Sequence, residues 1–322
     1  MSITLRATAA AIVLVCLPIS VLAQSTVTLY GRINTTLESQ KSGEQRQAVV
    51  SDNASRFGFT GSEDLGGGLK AMFRLESGFR SDTGQTYDFE NTRKLFGREA
   101  TVGLSGGFGT VRLGQQAYLP AYLATADYVS MHNHDTGSSS DALFGGFLLP
   151  ARQSNSFSYT TPSFSGLTVE VARSLKEGVV GLPSSTDVAA NYDGGPLHLG
   201  AGYEKIGDNK LLALRAQYEF GALTVGGYLE RDDFITLGKR NNVRVSAMYT
   251  VGASEFHANV GSAGKFSNVA DSKTQQYTLG YNYNLSKRTK VYGYLTRVND
   301  GAKVYAFKGD FNSTAVGIRH NF

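Results

Sequence analysis

The stretch Leu69-Lys70-Ala71-Met72-Phe73-Arg74-Leu75-Glu76 places Leu, Ala, Phe and Leu on one side of an extended chain and Lys, Met, Arg and Glu on the other. Because successive side chains of a β-strand point to opposite faces, this pattern predicts a strand with one apolar face and one mainly polar face. The same period of two recurs at 27–34, at 197–203 and at 279–285. The chain is therefore expected to contain many strands that are apolar on one side only.

Sixteen such runs follow one another along the chain, beginning near residues 26, 55, 68, 96, 109, 154, 167, 186, 197, 210, 222, 241, 254, 274, 289 and 313. Short turns alternate with longer loops around 39–54, 80–95, 117–153, 176–185, 205–209, 231–240, 262–273 and 299–312. An even strand number with short turns on one rim and long loops on the other is typical of bacterial outer-membrane barrels. The sequence predicts an all-β fold, a 16-stranded antiparallel transmembrane β-barrel. A soluble all-β fold is the alternative.

The first 23 residues have the features of a secretory signal peptide. Arg6 is their only charge, and the stretch from Ala7 to Leu22 is almost wholly apolar. Because Pro18 interrupts this run, it falls short of the roughly 20 residues that a membrane-anchor helix needs. We predict a cleaved signal peptide at 1–23 and an outer-membrane barrel at 24–322. The barrel would contain no cysteine, because the chain's single cysteine, Cys16, belongs to the signal.

The composition fits many strands joined by tight turns, with 38 Gly, 17 Tyr and 18 Phe but only 6 Pro. The formal net charge of +4 is too small and too dispersed to indicate nucleic-acid binding. Among the five histidines, only His132 and His134 lie close together in sequence, without a third ligand nearby. We therefore expect no metal site, no cofactor and no catalytic residues.

A closed sheet accounts for the absence of disulfides in an exported chain of this size. In the bilayer core no water can pair with backbone polar groups, so every strand must pair and the last must close on the first. This closure places Phe322 near the first strand. A barrel of sixteen strands is too wide for side chains to fill, so the fold predicts an aqueous channel. The alternative from another functional class is an adhesin or structural barrel.

Several segments spread over the chain resemble one family: QSTVTLYG at 24–31, SRFG at 55–58, GSEDLGGGLKA at 61–71, VGLSGGFGTVRLG at 102–114, SFSY at 156–159, GYNYNLSKRT at 280–289 and GIRHNF at 317–322. The chain resembles the Gram-negative general (diffusion) porins, most closely the betaproteobacterial anion-selective trimeric porins. The loops match poorly, as surface loops do. The resemblance implies an outer-membrane homotrimer that passes small hydrophilic solutes and ions by passive diffusion and favours small anions. A substrate-specific outer-membrane channel is the alternative within transport.

The resemblance also implies partners: outer-membrane lipid, lipopolysaccharide and the barrel-assembly machinery. The terminal Phe322 matches the family's assembly signal. The family's third long loop folds into the lumen and sets the narrowest point of the pore. The loop at 117–153 is the longest in this chain and fits that role, with an extracellular lid as the alternative.

Three arginines correspond by residue match to the constriction of the anion-selective relatives: Arg56, Arg98 and Arg152. Arg56 also faces the lumen by alternation, since it is opposite in parity to Phe57. Arg98 does not, because strict alternation groups it with outward residues such as Ala100. A bulge at Gly97 would re-aim it inward, and a place at the rim or the trimer interface is the alternative.

Further charged residues are expected around this constriction. Glu76 and Asp127 are the candidates for an acidic side opposing the arginines. Arg32, Arg74 and Arg112 are expected to form a lumen-facing basic ladder, because an outward arginine near the membrane midplane costs about 2–4 kcal/mol. They are alternatively paired with acids such as Glu76.

Overall fold

The computed structural model of the protein describes residues 26–87, 94–116, 120–129, 141–149, 152–176, 183–300 and 309–322. The expected signal peptide lies outside these residues. In the described part of the chain, no helix is long and apolar enough to cross a membrane.

The described residues form eighteen strand segments and two helical segments. The strands are β1 (Thr26–Ser42), β2 (Gln45–Asp52), β3 (Arg56–Gly66), β4 (Leu69–Phe79), β5 (Thr86–Tyr87), β6 (Glu99–Gly106), β7 (Gly109–Gln116), β8 (Gln153–Thr160), β9 (Leu167–Ser174), β10 (Ser185–Gly194), β11 (Leu197–Ile206), β12 (Asn209–Phe220), β13 (Leu223–Phe234), β14 (Gly238–Val251), β15 (Ser254–Ala263), β16 (Thr274–Asn284), β17 (Thr289–Asp300) and β18 (Phe311–Asn321). Between β7 and β8 lie the helix α1 (Pro120–Val129) and a short 3-10 helix (Gly145–Leu148).

One antiparallel sheet contains all these strands and closes on itself through the pairing of β1 with β18. β2 and β3 pair with successive halves of β1, so they are two parts of one barrel strand. β5 is a two-residue segment that pairs with the end of β4. The wall therefore has sixteen barrel strands, which confirms the predicted number.

The two faces of the wall differ in the way that the period of two predicts. In β14, Arg240, Asn242 and Arg244 are buried on the inside, whereas Val243 and Val245 are 41% and 48% exposed on the outside. A soluble sandwich or barrel would bury the valines instead. An apolar outer surface around a polar interior is the arrangement of a membrane barrel.

Some of the expected long loops, those at 39–54, 205–209 and 231–240, are mostly strand. β1 and β2 pair up to Ser42 and Gln45, which leaves a two-residue turn. β13 and β14 likewise leave only three residues between them. At these ends the strands rise beyond the apolar core of the bilayer, so their outer face is polar and the alternation that predicts a strand disappears. The end of the barrel that carries α1 and these connections is called the extracellular rim below.

The chain terminus closes the seam of the barrel. The backbone N–H of Gly31 donates to the carbonyl oxygen of Phe322 at 3.0 Å, and the N–H of Phe322 donates to the carbonyl oxygen of Gly31 at 3.0 Å. The ring of Phe322 lies over Gly31, where any Cβ would collide with it. The predicted position of Phe322 beside the first strand is confirmed.

Candidate functional site

Seven charged side chains of the wall border one recess of about 440 Å³ in the lumen. They are Arg32, Arg56, Arg74, Glu76, Arg98, Glu99 and Arg112. Among these side chains, five guanidinium groups outnumber two carboxylates. A recess of this size holds a small hydrophilic solute. The structure thus brings together five of the arginines that the sequence singled out.

Glu76 is the most tightly held of these groups. Its Oε1 accepts from Nε of Arg98 at 2.5 Å, and its Oε2 accepts from the hydroxyl of Tyr30 at 2.9 Å. The expectation that Glu76 opposes the arginines is wrong, because β4 carries it on the same wall and it is ion-paired there. Its charge offsets that of Arg98.

Arg74 is the most open of the arginines in these ion pairs, with 47% of its side chain exposed. Its Nε donates to the hydroxyl oxygen of Tyr30 at 2.8 Å and lies 3.6 Å from Oε2 of Glu99. Tyr30 therefore joins Arg74 and Glu76, while Arg74 still presents its charge to the lumen.

Arg112 is held between two carboxylates. Its Nη2 lies 2.7 Å from Oε1 of Glu170, and its Nη1 lies 3.5 Å from Oε1 of Glu99. Both alternatives for the basic ladder therefore hold here: the side chain faces inward, and it is paired with acids.

Arg32 and Arg56 are direct cross-strand partners of β1 and β3. Like charges directly opposite each other destabilise a sheet. The presence of this pair therefore favours a role for the two charges other than stabilising the sheet. Nε of Arg32 donates to Oδ1 of Asn321 at 3.1 Å, and Arg56 acts electrostatically on Glu76. Arg56 faces the lumen, as its parity predicts.

Arg98 also points inward, against strict alternation. It precedes β6 in a bend, and its backbone N–H donates to the carbonyl oxygen of Glu76 at 3.1 Å. The register of β4 with β6 is continuous from Glu99 to Ser105, and Arg98 lies just before it. The bend frees Arg98 from the parity of the strand.

Arg152 lies immediately before β8 and is only 5% exposed. Its Nε is 3.3 Å from the carbonyl oxygen of Arg98, to which it donates. It does not border the recess. Arg152 therefore contacts the backbone of Arg98 without bordering this recess.

The second loop adds a tyrosine close to these arginines. Cζ of Arg80 lies 5.0 Å from the ring centroid of Tyr87 in β5. Burial raises the pKa of the Tyr87 phenol, and the charges of Arg80, Arg152 and Arg98 act in the opposite direction. With a raised pKa the phenol is neutral at neutral pH, so it removes none of the positive charge nearby.

The helix α1 of the third loop packs against the inward face of β10, β11 and β12. Glycines make room for it: a Cβ on Gly202 would come within 2.6 Å of Cα of Ala121, and a Cβ on Gly200 would meet the carbonyl oxygen of Ala124. Leu123 of α1 borders the recess that contains the arginines. Asp127 belongs to α1, but its side chain lies outside the described part of the structure.

The segment 141–149 is bound to the inward face of β13, β14 and β16. Asp141 lies 2.8 Å from Nη1 of Arg244, and both side chains are 1% exposed. Its other oxygen accepts from the hydroxyl of Tyr228 at 2.6 Å. The carbonyl oxygen of Leu143 accepts from Arg240 at 2.9 Å. Buried ion pairs and hydrogen bonds thus hold this part of the third loop to the wall.

Arg240 and Arg244 are not among the functional residues that the sequence predicts. Their partner acids, Asp232 and Asp141, lie 2.6 Å and 2.8 Å away. In the sequence, Arg240, Asn242 and Arg244 occupy every second position, and valines stand at 243 and 245. This alternation was the available signal that the two arginines point inward. Asp232 is close to Arg240 in sequence, but Asp141 and the carbonyl oxygen of Leu143 belong to the distant third loop, so no local pattern indicates that these arginines bind it.

In the described residues, no cluster of His, Cys, Asp and Glu could hold a metal ion. His132 and His134 lie outside those residues. A closed barrel with an apolar outer surface, a polar lumen and a basic recess defines a water-filled membrane channel.

The model of the Gram-negative porin family matches residues 7–303. The chain therefore belongs to the Gram-negative porin family, and it is an outer-membrane porin for passive diffusion. The family points to a channel rather than to an enzyme.

Individual relatives agree with this assignment. The chain is 32% identical to "Outer membrane porin protein 32" of Delftia acidovorans, with 94% of this chain and 95% of the relative covered. It is 29% identical to an outer membrane porin protein of Bordetella pertussis, with 93% and 95% covered. Among solved structures, an anion-selective porin from Comamonas acidovorans is similar with a TM-score of 0.72 and 28% identity, covering 93% of this chain and 100% of that one.

Proposed function

We propose that the channel favours small anions and that its narrowest part lies between the arginine wall and α1. The observation that carries this proposal is the set of five guanidinium groups, against two side-chain carboxylates, around the recess bordered by Leu123. Fixed charges in a water-filled passage raise the local concentration of counter-ions and lower that of ions of like sign. The similar structure from Comamonas acidovorans is described as anion-selective, which supports the same direction.

The arginines divide into two roles in this proposal. Arg32, Arg56 and Arg74 present charge to passing ions, because Arg32 and Arg56 face each other and Arg74 is half exposed. Arg98, Arg112 and Arg152 shape the wall, because Arg98 and Arg112 are ion-paired and Arg152 donates to the backbone of Arg98. Glu76 holds Arg98 in place. Asp127, which α1 carries, stays the predicted acidic residue of the constriction.

We also propose the biological context. The chain is exported with a cleaved signal peptide at 1–23, inserted by the barrel-assembly machinery through its terminal Phe322, and assembled as a homotrimer in contact with lipid and lipopolysaccharide. A barrel of this kind has no catalytic role. The similarity to "Outer membrane porin protein 32" and the closed seam at Phe322 support this context.

The test is electrical. The protein is purified from the outer membrane of a producing host, inserted in a planar bilayer and measured across a KCl gradient. We expect conductance steps in groups of three and a reversal potential of the sign for chloride. A reversal potential of the sign for potassium would overturn the anion proposal. Conductance in single steps would overturn the trimer.

A further inference from the structure

The outer surface of the barrel carries a row of basic side chains near the extracellular rim. The strand register aligns Arg173, Thr186, Lys205, Lys210, Asp233 and Lys239 as successive cross-strand partners from β9 to β14. We call these six residues the rim row. Four cations and one carboxylate leave the row with an excess of three positive charges.

The rim row faces the membrane side of the wall. Its members alternate with inward-facing buried residues such as Glu204, Leu211 and Arg240. The next outward-facing cross-strand pair towards the membrane centre is Tyr203 with Leu212. These side chains are 37% and 47% exposed. The row therefore lies where the apolar band ends, at the level of the lipid headgroups.

Lys205 and Lys210 are directly opposite each other in β11 and β12. Like charges in this position destabilise a sheet. In the part of the chain that the structure describes, neither ammonium group has an ion-pair or hydrogen-bond partner, and Asp208 in the connecting turn pairs with neither. Such a pair is stabilised when an anion lies between the two charges.

The other charged members of the rim row have partners within the row, so Lys205 and Lys210 are the charges left to bind a ligand. Nζ of Lys239 lies 3.3 Å from Oδ2 of Asp233, and Nη1 of Arg173 donates to Oγ1 of Thr186 at 2.8 Å. Arg231 is exposed and is the cross-strand partner of Leu212, so it lies closer to the membrane centre than Lys210. Its Nη1 donates to Oδ1 of Asn241 at 3.0 Å. Its guanidinium group can share an anion with Lys210 from below.

We propose that the rim row binds the phosphate groups of a phosphorylated glycolipid of the outer leaflet, with Lys205 and Lys210 as the main contacts. Ammonium and guanidinium groups form strong charge-assisted hydrogen bonds with phosphate. The acyl chains of the lipid pack on Tyr203, Leu212 and the outward leucine below them, Leu229, which is 60% exposed. This inference gives a site to the lipid contact proposed above, and it is independent of ion selectivity because these side chains face away from the lumen.

The test compares two double variants of the porin purified from outer membranes in detergent. Lys205→Gln with Lys210→Gln removes two charges from the rim row. Lys287→Gln with Arg288→Gln removes two exposed charges from a turn at the opposite rim and is the matched control. Binding of bisphosphorylated lipid A is measured by native mass spectrometry, beside lipid A without phosphates and inorganic phosphate alone.

We expect the Lys205/Lys210 variant to bind bisphosphorylated lipid A roughly 10- to 30-fold more weakly than the unaltered protein, since a basic residue near an anionic lipid surface contributes about one power of ten or less. The control variant should bind as the unaltered protein does. Equal binding by all three proteins would overturn the proposal, as would equal binding of dephosphorylated lipid A. Inorganic phosphate that binds as strongly as the lipid would show a simple anion site instead of a lipid site.

Single-channel conductance separates this inference from the proposed function. The Lys205/Lys210 variant should conduct as the unaltered protein does, which shows that it is folded. Lipid binding that is unaffected in a conducting variant overturns only the lipid site. A reversal potential of the wrong sign overturns only the anion proposal.

Discussion

Arg98 takes its inward direction from the bend that precedes β6. Alternation assigns faces only within a continuous strand, and the backbone of Arg98 lies just outside one. The side chain turns into the lumen, where it is 1% exposed and contacts Glu76. At the scale of one residue, the local path of the backbone thus converts an expected lipid-facing arginine into part of the channel wall.

The ion pair of Arg98 with Glu76 predicts a large effect on stability. We expect Arg98→Met to destabilise the barrel by about 3 kcal/mol, because the carboxylate of Glu76 would stay buried without its cation. Urea unfolding in lipid vesicles, followed by far-ultraviolet circular dichroism, measures this change. Adding Glu76→Gln should recover most of the loss. A double variant as unstable as Arg98→Met alone would show that the ion pair is not the cause.

The charge of Arg56 predicts an effect on selectivity. Arg56→Glu changes the local charge by two units, which at ~10 Å in water alters the energy of a passing anion by about 0.8 kcal/mol. Chloride permeability should therefore fall about fourfold and potassium permeability rise about fourfold, so their ratio should fall by about 16-fold, as measured from reversal potentials. Arg297→Glu makes the same change on the outer surface of β17 and should leave the ratio unaltered. An unchanged ratio in Arg56→Glu would remove this residue from the constriction.

At the scale of the element, the third loop is held by side chains of β13 and β14. Asp141 pairs with Arg244, and Leu143 accepts from Arg240 through its carbonyl oxygen. Phe144 adds an edge-to-face contact with Tyr228 at a centroid distance of 5.8 Å. These contacts hold the segment 141–149, whose one regular element is the short 3-10 helix Gly145–Leu148.

The anchoring of this loop predicts a change in channel noise. We expect Asp141→Asn to loosen the segment 141–149, because it leaves Arg244 buried without a charged partner at a cost of about 3 kcal/mol. Open-channel current fluctuations should increase in planar bilayers. Tyr228→Phe removes only one neutral donor to the same carboxylate, worth about 1 kcal/mol, and should change the noise far less. Equal noise in both variants would contradict this role of the ion pair.

At the scale of the whole molecule, the barrel depends on one seam between β1 and β18. Eleven residue pairs from Arg32↔Asn321 to Ser42↔Phe311 join the two strands, and Phe322 extends this pairing to Gly31. In a bilayer an open edge leaves backbone groups unpaired, so closure is a condition for insertion.

Deleting Phe322 should lower the yield of folded protein. The deletion removes two reciprocal backbone hydrogen bonds and the ring that lies over Gly31. We expect the fraction of heat-modifiable barrel on gels to fall several-fold, a rough expectation from the loss of two bonds worth about 1 kcal/mol each. Phe322→Tyr keeps the ring and both bonds and should fold normally. A normal yield after the deletion would contradict the assembly role.

The sequence by itself determined the strand number and most strand starts: β11, β15 and β17 begin at the expected residues. The strands could be predicted because every strand that spans the bilayer needs an apolar outer face. The resulting period of two is visible in consecutive residues of the sequence. The inward direction of Arg32, Arg56, Arg74 and Arg112 followed from the same rule. The resemblance of scattered segments to the porins additionally predicted the family and the place of Arg98 in the lumen.

Only the tertiary structure decided which charges remain open in the lumen. The pairing of Glu76 with Arg98, the hydrogen bond of Arg152 to the backbone of Arg98 and the binding of Asp141 to Arg244 join residues that are distant in sequence. Likewise the strand ends at the extracellular rim escaped prediction, because a strand that leaves the bilayer no longer needs an apolar face. The alternation of apolar and polar residues shows which side of a strand contacts lipid. The geometry of the lumen depends instead on contacts between strands and loops that only the closed barrel brings together.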